Sequence, residues 1–442
     1  MITYSKLGKK GNLGNQLFQI ASTIGVAIEN KQDYVFPDWK YQHYFKNKLP
    51  LLENDLSHFI TIEETEYNYY HRDLGTENYD LSGWLQTEKY FDKSLAKYYF
   101  EFSASLIGTL KNSYQKAFVK RTILISIRRG DFVNHPDYLQ LPINFYLNSL
   151  VQFLPDWESC NLIVLSDDIK YCKFHFSFLE NVFFGEGLHE VEQLCLGSLC
   201  DDFIISNSTF SWWSAWLGEK EGSKVIRPFK NFDGLKSLEL NDKDYYPDRW
   251  IKYNHLDVKL KLDNLGFYIR SKKNKEIIKN YVLHYFDVAV TFEENEFDSS
   301  KDSYILKGDY FLPPFLIYYS WLQINKPGVK LVTNTIDKTF KVSRKLNYDE
   351  LFVQKDFGLF SAIFSFPKKK VERRKNTSAI FLKKGNDLRE EFSNDFSSDE
   401  IWINFSGGKL LEFGGYSYSF KKYIKRKKIQ LKKRIKKFLL KK

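Results

Sequence analysis

The 442-residue sequence lacks several features that mark disulfide-rich, metal-binding or membrane-spanning proteins. Its four cysteines form no Cys-x-x-Cys pair and its first residues show no signal-peptide pattern, so we expect reduced thiols in a cytoplasm. The longest uncharged run, residues 310–325, contains Pro313-Pro314 and is too short and too broken for a membrane-spanning helix. His135, His175 and His189 lack the spacing of metal ligands, which predicts no metal site among them.

A strong charge of one sign is also missing from most of the chain. The net charge is +11, but 13 Lys and Arg residues and no acidic residue lie between positions 421 and 442. The remainder therefore carries a net charge of −2. This composition predicts a soluble globular body of about two to four domains, with the basic character confined to a tail.

The most informative stretch is residues 122–131, Thr-Ile-Leu-Ile-Ser-Ile-Arg-Arg-Gly-Asp. Its apolar part predicts a buried parallel strand, and Arg128, Arg129 and Asp131 follow at the carboxyl end, where open α/β sheets bind ligands. Two permanently charged, bidentate guanidiniums suit a phosphate or diphosphate. The alternative is an ordinary ion pair between Arg129 and Asp131 that binds nothing.

The amino-terminal residues predict a Rossmann-like unit of strand, glycine-rich loop and helix. Residues 2–5 are the strand, residues 8–16 the loop, and apolar residues from Leu17 to Ile28 recur at helical spacing. The loop is neither Gly-x-Gly-x-x-Gly nor a P-loop. A tight turn alone would explain its glycines, although Asn15 and Gln16 would also offer neutral donors and acceptors to a sugar.

From about residue 105 onward, the sequence alternates regularly between strand and helix patterns. Five strands are predicted, at residues 122–127, 161–165, 181–184, 202–205 and 224–227, with helices between them. They form a second doubly wound parallel sheet. Two such domains facing across a cleft are the architecture of a GT-B glycosyltransferase, so the predicted fold class is α/β of this type.

Three predicted strand ends bring polar side chains to one edge of the second sheet. They are Arg128, Arg129 and Asp131; Ser166, Asp167 and Asp168; and Asn207, Ser208, Thr209 and Ser211. The last group opens a helix, where free N–H groups and the helix dipole favour an anion. Asp167 and Asp168 could hold Mg²⁺, bind a nucleotide by hydrogen bonds or cap a helix. With arginines available for a diphosphate, a metal is unnecessary.

Five ordered motifs resemble those of glycosyltransferase family 11, the α-1,2-fucosyltransferases, over about residues 1–255. They are Gly11-x-Leu13-Gly14-Asn15-Gln16-Leu17-Phe18-Gln19, residues 83–91 (Gly-Trp-Leu-Gln-Thr-Glu-Lys-Tyr-Phe), Arg128-Arg129-Gly130-Asp131, Ser166-Asp167-Asp168 and residues 207–217 (Asn-Ser-Thr-Phe-Ser-Trp-Trp-Ser-Ala-Trp-Leu). Two positions depart from the family pattern: Ser126 stands where the family has His, and Asn12 where it has Gly. If that His takes part in donor binding or proton handling, the role is altered or lost.

The resemblance implies an inverting, metal-independent transfer of L-fucose from GDP-β-L-fucose to a galactoside hydroxyl in an α-1,2 linkage, without a cofactor. It implies catalytic roles for Arg128 and Asp131, although no general base is identifiable and Asp131 is a candidate only by proximity. The implied donor-binding residues are Gly14, Asn15, Gln16, Arg128, Arg129, Asp167, Asp168, Asn207, Ser208, Thr209, Phe210 and Ser211. A different nucleotide-linked deoxysugar and an inactive, transferase-like scaffold remain alternatives.

The predicted domains are an acceptor-side domain at 1–105, a nucleotide-sugar domain at 106–255, an α+β accessory region of unknown role at 256–415 and a tail at 416–442. In the tail, Phe420, Ile424, Leu431, Ile435 and Phe438 share one helical face among basic residues. Such a helix suits an anionic membrane surface, which is the ligand we expect. The alternatives are nucleic acid, which we do not expect, and a solvated tail that binds nothing. We therefore expect a peripheral enzyme on the cytoplasmic face of the membrane that modifies a surface polysaccharide or O-antigen on a lipid-linked acceptor.

Overall fold

The structure is a computed structural model that describes most of the first 256 residues and separate segments beyond them. The described residues are 1–53, 56–133, 135–176, 179, 181–256, 259–269, 275–291, 302–306, 315, 318, 330–333, 350–356, 361–367, 400–406 and 409–416. The chain forms two compact units. The first unit comprises Met1–Leu141, Asn148–Ile169 and Asn181–His255. Because this unit runs across residue 105, it does not test the domain boundary predicted there, which stays a prediction.

The first sheet has four parallel strands in the order β2-β1-β4-β3. Its elements, with the two helices that follow, are β1 (Ile2–Thr3), α1 (Leu13–Glu29), β2 (Tyr34–Val35), β3 (Phe59–Glu63), β4 (Asn78–Ser82), α2 (Lys93–Tyr99) and α3 (Ala104–Ser113). Helix α1 begins inside the stretch predicted as a loop, so Gly14, Asn15 and Gln16 lie in its first turn. That correction places the backbone N–H groups of Gly14 and Asn15 among those that a helix start leaves without an intrahelical partner, whereas Gln16 N donates to the Asn12 carbonyl at 3.1 Å.

The second sheet has six parallel strands in the order β10-β9-β8-β5-β6-β7. Its elements are β5 (Thr122–Ile127), α4 (Ile143–Phe153), β6 (Asn161–Ser166), α5 (Ile169–Phe176), β7 (Val182–Phe184), α6 (Glu190–Ser198), β8 (Asp202–Ile205), α7 (Thr209–Gly218), β9 (Val225–Pro228), α8 (Lys236–Glu239) and β10 (Ile251–Tyr253). All five predicted strands are confirmed. The two Rossmann-like sheets confirm the predicted GT-B-type α/β class.

An aromatic cluster joins α1 to α7. Trp212, Trp213 and Trp216 are completely or almost completely buried, and Phe18 of α1 packs against them with ring centroids 4.6 Å from Trp212 and 5.1 Å from Trp213. Phe91 stacks on Trp213 at 5.3 Å. Burial of large aromatic rings contributes a large share of core stability. The cluster therefore fixes the amino-terminal ends of the two helices beside each other.

The second unit contains helix and strand in its described part. Its elements are β11 (Leu260–Ile269), α9 (Lys275–Tyr285), β12 (Phe286–Thr291), β13 (Asp302–Leu306), β14 (Lys330–Thr333), β15 (Glu350–Asp356), β16 (Ser361–Pro367), β17 (Glu400–Ser406) and β18 (Lys409–Tyr416). Strands β11, β12 and β13 form a parallel sheet, whereas β15 with β16 and β17 with β18 pair antiparallel. This agrees with the expected α+β region. The apolar positions of the tail lie outside the described residues, and no helix in the described part is long and apolar enough to cross a membrane.

Candidate functional site

A cavity of about 460 Å³ lies in the first unit, between loops that follow strands of both sheets. Its lining includes ten of the thirteen residues that the sequence implicated: Gly14, Asn15, Arg128, Asp131, Asp167, Asn207, Ser208, Thr209, Phe210 and Ser211. Parallel strands deliver their carboxyl ends to one edge, which explains why positions so distant in sequence meet.

The other three implicated residues, Gln16, Arg129 and Asp168, do not line this cavity. The Gln16 side chain accepts from Trp39 Nε1 at 2.8 Å and donates to the Gly11 carbonyl at 2.9 Å. Arg129 is 5% exposed, and its Nε donates to Asp168 Oδ2 at 3.1 Å. These contacts give the three residues a place in the framework behind the site.

Arg128 lies at the cavity between two carboxylates. Its Nη2 donates to Asp131 Oδ1 at 2.6 Å, its Nε donates to the same oxygen at 3.1 Å, and its Nη1 is 3.1 Å from Asp167 Oδ2. Asp167 Oδ1 also accepts from the backbone N–H of Arg129 at 2.9 Å. The alternative of an ion pair between Arg129 and Asp131 is not what the structure shows: Asp131 pairs with Arg128, and Arg129 pairs with Asp168.

Two helix amino termini meet at the cavity because Gly14 has no side chain. A Cβ placed on Gly14 would lie 2.6 Å from Phe210 N and 2.7 Å from Thr209 C, both in the backbone of α7. Asn12 precedes α1 in an extended conformation and makes no side-chain capping hydrogen bond, whereas Ser208 caps α7 through Ser211 N. The first turns of both helices thus lie against each other at the cavity, and the N–H groups that a helix start leaves without an intrahelical partner favour an anion there.

Four buried serine hydroxyls form a cluster at the start of α7. Ser211 Oγ lies 2.7 Å from Ser126 Oγ, 2.8 Å from Ser206 Oγ and 2.9 Å from Ser208 Oγ. The side chain of Ser126, which stands where the resemblance expects His, is thus held by the Ser211 hydroxyl in the first turn of α7. Ser126, Ser208 and Ser211 also line the cavity.

A chain of hydrogen bonds connects the two halves of the site. Gln86 Nε2 donates to Asn15 Oδ1 at 2.7 Å, and Tyr67 OH donates to Gln86 Oε1 at 2.5 Å. Asn231 Nδ2 donates to Tyr67 OH at 3.2 Å, and Asn207 Nδ2 donates to the Asn231 carbonyl at 2.6 Å. Tyr67 is buried, and this burial raises its pKa well above the ordinary value, so the phenol remains a proton donor.

Sequence reasoning missed one aromatic wall of the cavity. Phe132 stacks on Tyr138 with centroids 4.4 Å apart, and Lys236 Nζ lies over the rings of Tyr138 and Phe232 at 4.7 and 5.8 Å. The available signal was that Phe132 and Tyr138 closely follow the motif of residues 128–131, but nothing local distinguishes Phe232 or Lys236. No group of three or more His, Cys, Asp or Glu in the described part of the chain could hold a metal ion.

Comparison with known proteins identifies the family. The model of glycosyl transferase family 11 matches residues 9–254, more than half of the chain. The chain belongs to glycosyl transferase family 11. Every residue that lines the cavity falls within the matched range, so the cavity is the active-site candidate of this glycosyltransferase.

Two Escherichia coli proteins are similar to this glycosyltransferase. One is an alpha-1,2-colitosyltransferase, 25% identical over 281 residues that cover 55% of this chain and 96% of the relative. The other is the O-antigen biosynthesis glycosyltransferase WbnK, 26% identical over 245 residues that cover 53% of this chain and 72% of the relative. Among solved structures, the fucosyltransferase NodZ from Bradyrhizobium is 11% identical with a TM-score of 0.34, covering 48% of this chain and 91% of that one.

Proposed function

We propose that this glycosyltransferase transfers L-fucose from GDP-β-L-fucose to a galactoside hydroxyl, forming an α-1,2 linkage by inversion and without a metal. The acceptor belongs to a surface polysaccharide or O-antigen. The observation that carries the proposal is the meeting of Arg128 with the amino termini of α1 and α7 at one cavity. This combination suits a diphosphate, and the relative WbnK, an O-antigen biosynthesis glycosyltransferase, supports the acceptor class.

The proposed reaction is one displacement at the anomeric carbon. The acceptor oxygen forms a bond to that carbon from the face opposite the diphosphate, and the bond from the carbon to the diphosphate oxygen breaks with its electron pair. Negative charge therefore grows on the departing GDP. A fixed guanidinium and oriented N–H groups stabilise that charge where it develops.

The proton of the acceptor hydroxyl requires a base, and Asp131 is the candidate we propose. Its side chain is 62% exposed, and both of its hydrogen bonds from Arg128 use Oδ1 and neither uses Oδ2. An Asp131→Asn variant should then keep GDP affinity within a few-fold while transfer falls by about 10²–10⁴-fold. Equal loss of GDP affinity and turnover would instead assign Asp131 to holding Arg128.

A matched pair of arginines tests the donor site. Arg128 follows the carboxyl end of β5, whereas Arg121 precedes the same strand and pairs with Asp202 at 2.6 Å. Arg128→Gln should lower turnover with GDP-fucose by about 10²–10³-fold, because removing one such donor costs about 2.7–4 kcal/mol of barrier. Arg121→Gln should leave turnover of the folded enzyme unchanged.

Activity should persist in EDTA; a strict metal requirement would refute the metal-independent proposal.

The second candidate donor is another nucleotide-linked deoxysugar, and the name of the colitosyltransferase relative favours colitose. Colitose is the 3-deoxy counterpart of fucose, so the two donors differ by one hydroxyl group. We would compare kcat/KM for GDP-fucose and GDP-colitose over a panel of methyl glycosides. A preference for the colitose donor would replace the fucose assignment, whereas GDP binding without transfer or hydrolysis of either donor would support an inactive scaffold.

We also propose that the tail at 416–442 attaches the enzyme to the cytoplasmic face of a membrane that carries a lipid-linked acceptor. The 13 basic residues support this, since each one near an anionic surface contributes about 1 kcal/mol. Full-length protein should sediment with vesicles containing phosphatidylglycerol but not with phosphatidylcholine alone. A chain lacking residues 420–442 should lose this binding, and unchanged binding would refute the role of the tail.

A further inference from the structure

Trp84 is a large aromatic side chain left open at the active-site cavity. It lines the cavity and is 37% exposed, whereas the next residue, Leu85, is 1% exposed. Trp84 follows β4 of the first sheet, whereas Arg128 and the start of α7 follow strands β5 and β8 of the second sheet. An indole exposed inside a polar cavity needs an apolar partner to be covered.

The backbone around Trp84 is held in an unfavourable shape. Leu85 has φ of +52°, a conformation that costs a non-glycine residue on the order of 1–3 kcal/mol. The Glu64 carboxylate accepts the N–H of Trp84 at 2.6 Å and that of Leu85 at 2.9 Å. Tyr4 OH donates to the Gly83 carbonyl at 2.6 Å. These three bonds hold the backbone from which the indole extends.

The charge around the indole shows what kind of group it attracts. Lys10 Nζ lies 4.6 Å from the centroid of the Trp84 ring. An electron-rich ring face that attracts an ammonium also attracts the weakly positive C–H groups of a sugar ring. Gln86, two residues further, also lines the cavity and supplies polar atoms for hydroxyl groups.

We propose that Trp84 is the platform on which the pyranose ring of the acceptor packs, and that Glu64 is the positioning residue for this platform. The inference rests on the proposed function, because the donor is assigned to Arg128 and the amino termini of α1 and α7. It assigns acceptor binding to a residue that makes no contact with the proposed diphosphate site.

Saturation-transfer NMR on the full chain, saturated with GDP, tests the assignment with methyl β-galactopyranoside and methyl pyranosides of glucose and N-acetylglucosamine. At least one pyranoside should give a signal that weakens about tenfold in Trp84→Ala and less in Trp84→Phe. The control is Tyr98→Ala, which removes an aromatic side chain that is 53% exposed and does not line the cavity. GDP affinity should stay unchanged in all three variants.

Glu64→Gln should also weaken the pyranoside signal, because one of the two N–H groups loses its acceptor oxygen, and Glu63→Gln is the matched neighbour that should not. A pyranoside signal equal in wild type and Trp84→Ala, or none in wild type, would overturn the proposal. A loss of GDP affinity in Trp84→Ala would assign the indole to the donor and would also overturn it. Failure of the proposed function is distinct, because then the wild type itself binds no GDP.

Discussion

The strongest test of the site's construction is the same substitution at two helical glycines. Gly14 lies in the first turn of α1, and an alanine Cβ there would meet the α7 backbone at 2.6 Å. Gly108 lies in the middle of α3, and a Cβ placed there would have nothing within 4 Å. Gly14→Ala and Gly108→Ala therefore add the same methyl group to a helix, once against a neighbouring backbone and once into open space.

The expected effects have opposite signs. Carbon and nitrogen atoms in contact lie about 3.5–4 Å apart, so α1 and α7 must separate by roughly 1 Å to accept the methyl group. Such overpacking costs about 1–3 kcal/mol, and the better helix propensity of alanine offsets at most about 1 kcal/mol of it. Gly108→Ala gains the better helix propensity of alanine without any overpacking, so it should stabilise the protein by about 0.5–1 kcal/mol.

The activity measurement is more sensitive than the stability measurement. A misplacement of about 1 Å in a catalytic constellation can reduce turnover about 10²-fold. We therefore expect Gly14→Ala to lower kcat/KM for the donor by about that factor and to lower the unfolding midpoint followed by tryptophan fluorescence. Gly108→Ala should retain full activity. If the two variants behave alike in both assays, the helix amino termini do not form the donor site.

Three further perturbations test the framework around the cavity. Burial opposes ionisation of Glu88, but hydrogen bonds from Arg249 and Trp216 outweigh burial and hold the pKa of Glu88 below the ordinary value. The stability that ionised Glu88 contributes is therefore present above the ordinary pKa and lost as pH falls through the lowered pKa. Glu88→Gln should cost about 1 kcal/mol at pH 7 by chemical denaturation, and the difference between variant and wild type should vanish in acid. Trp213→Ala removes a fully buried ring and should destabilise by about 3–5 kcal/mol in the same assay, and a loss below 1 kcal/mol would contradict the core assignment. Ser126→Ala removes one of the three hydroxyl groups beside Ser211, so the free energy of unfolding should fall by about 1 kcal/mol. Calorimetry should show a few-fold loss of GDP affinity, and a complete loss of GDP binding would instead mean that Ser126 contacts the ligand directly.

The sequence predicted the second sheet well because its strands are continuous apolar runs. Residues 122–127 and 161–165 carry their own signal, since both faces of a parallel strand are buried. Strand β4 (Asn78–Ser82) has no apolar run of its own. It becomes a strand through pairing with β1, and Asp80 accepts hydrogen bonds from Ser5 N at 2.8 Å and from Ser5 Oγ at 2.5 Å. Long-range pairing of this kind is invisible to local patterns.

The site was predictable where motifs place residues at strand ends, and not where the fold brings in distant segments. Ten implicated residues meet at the cavity, but Gln16 and Arg129 sit next to lining residues and point into the framework. Adjacent residues need not point the same way: successive side chains leave a helix about 100° apart, so Gln16 faces away from the cavity that Asn15 lines. Tyr67 and Asn231 reach the site through the hydrogen-bond chain between its halves, and each lies in a segment without a regular pattern.

The charges of the cavity limit how a diphosphate can be held. Of the described side chains that line it, Arg128 and Lys236 are basic, and Asp131, Asp167 and Glu190 are acidic, so side-chain charge alone gives no positive excess. Attraction by net charge therefore cannot explain binding of a dianion. Directed donors can: the Arg128 guanidinium and the first-turn N–H groups of α1 and α7 converge because Gly14 lets the helices touch. Affinity for the donor would then depend on the distance between two helices, and a glycine with no functional group becomes as important to the site as the arginine.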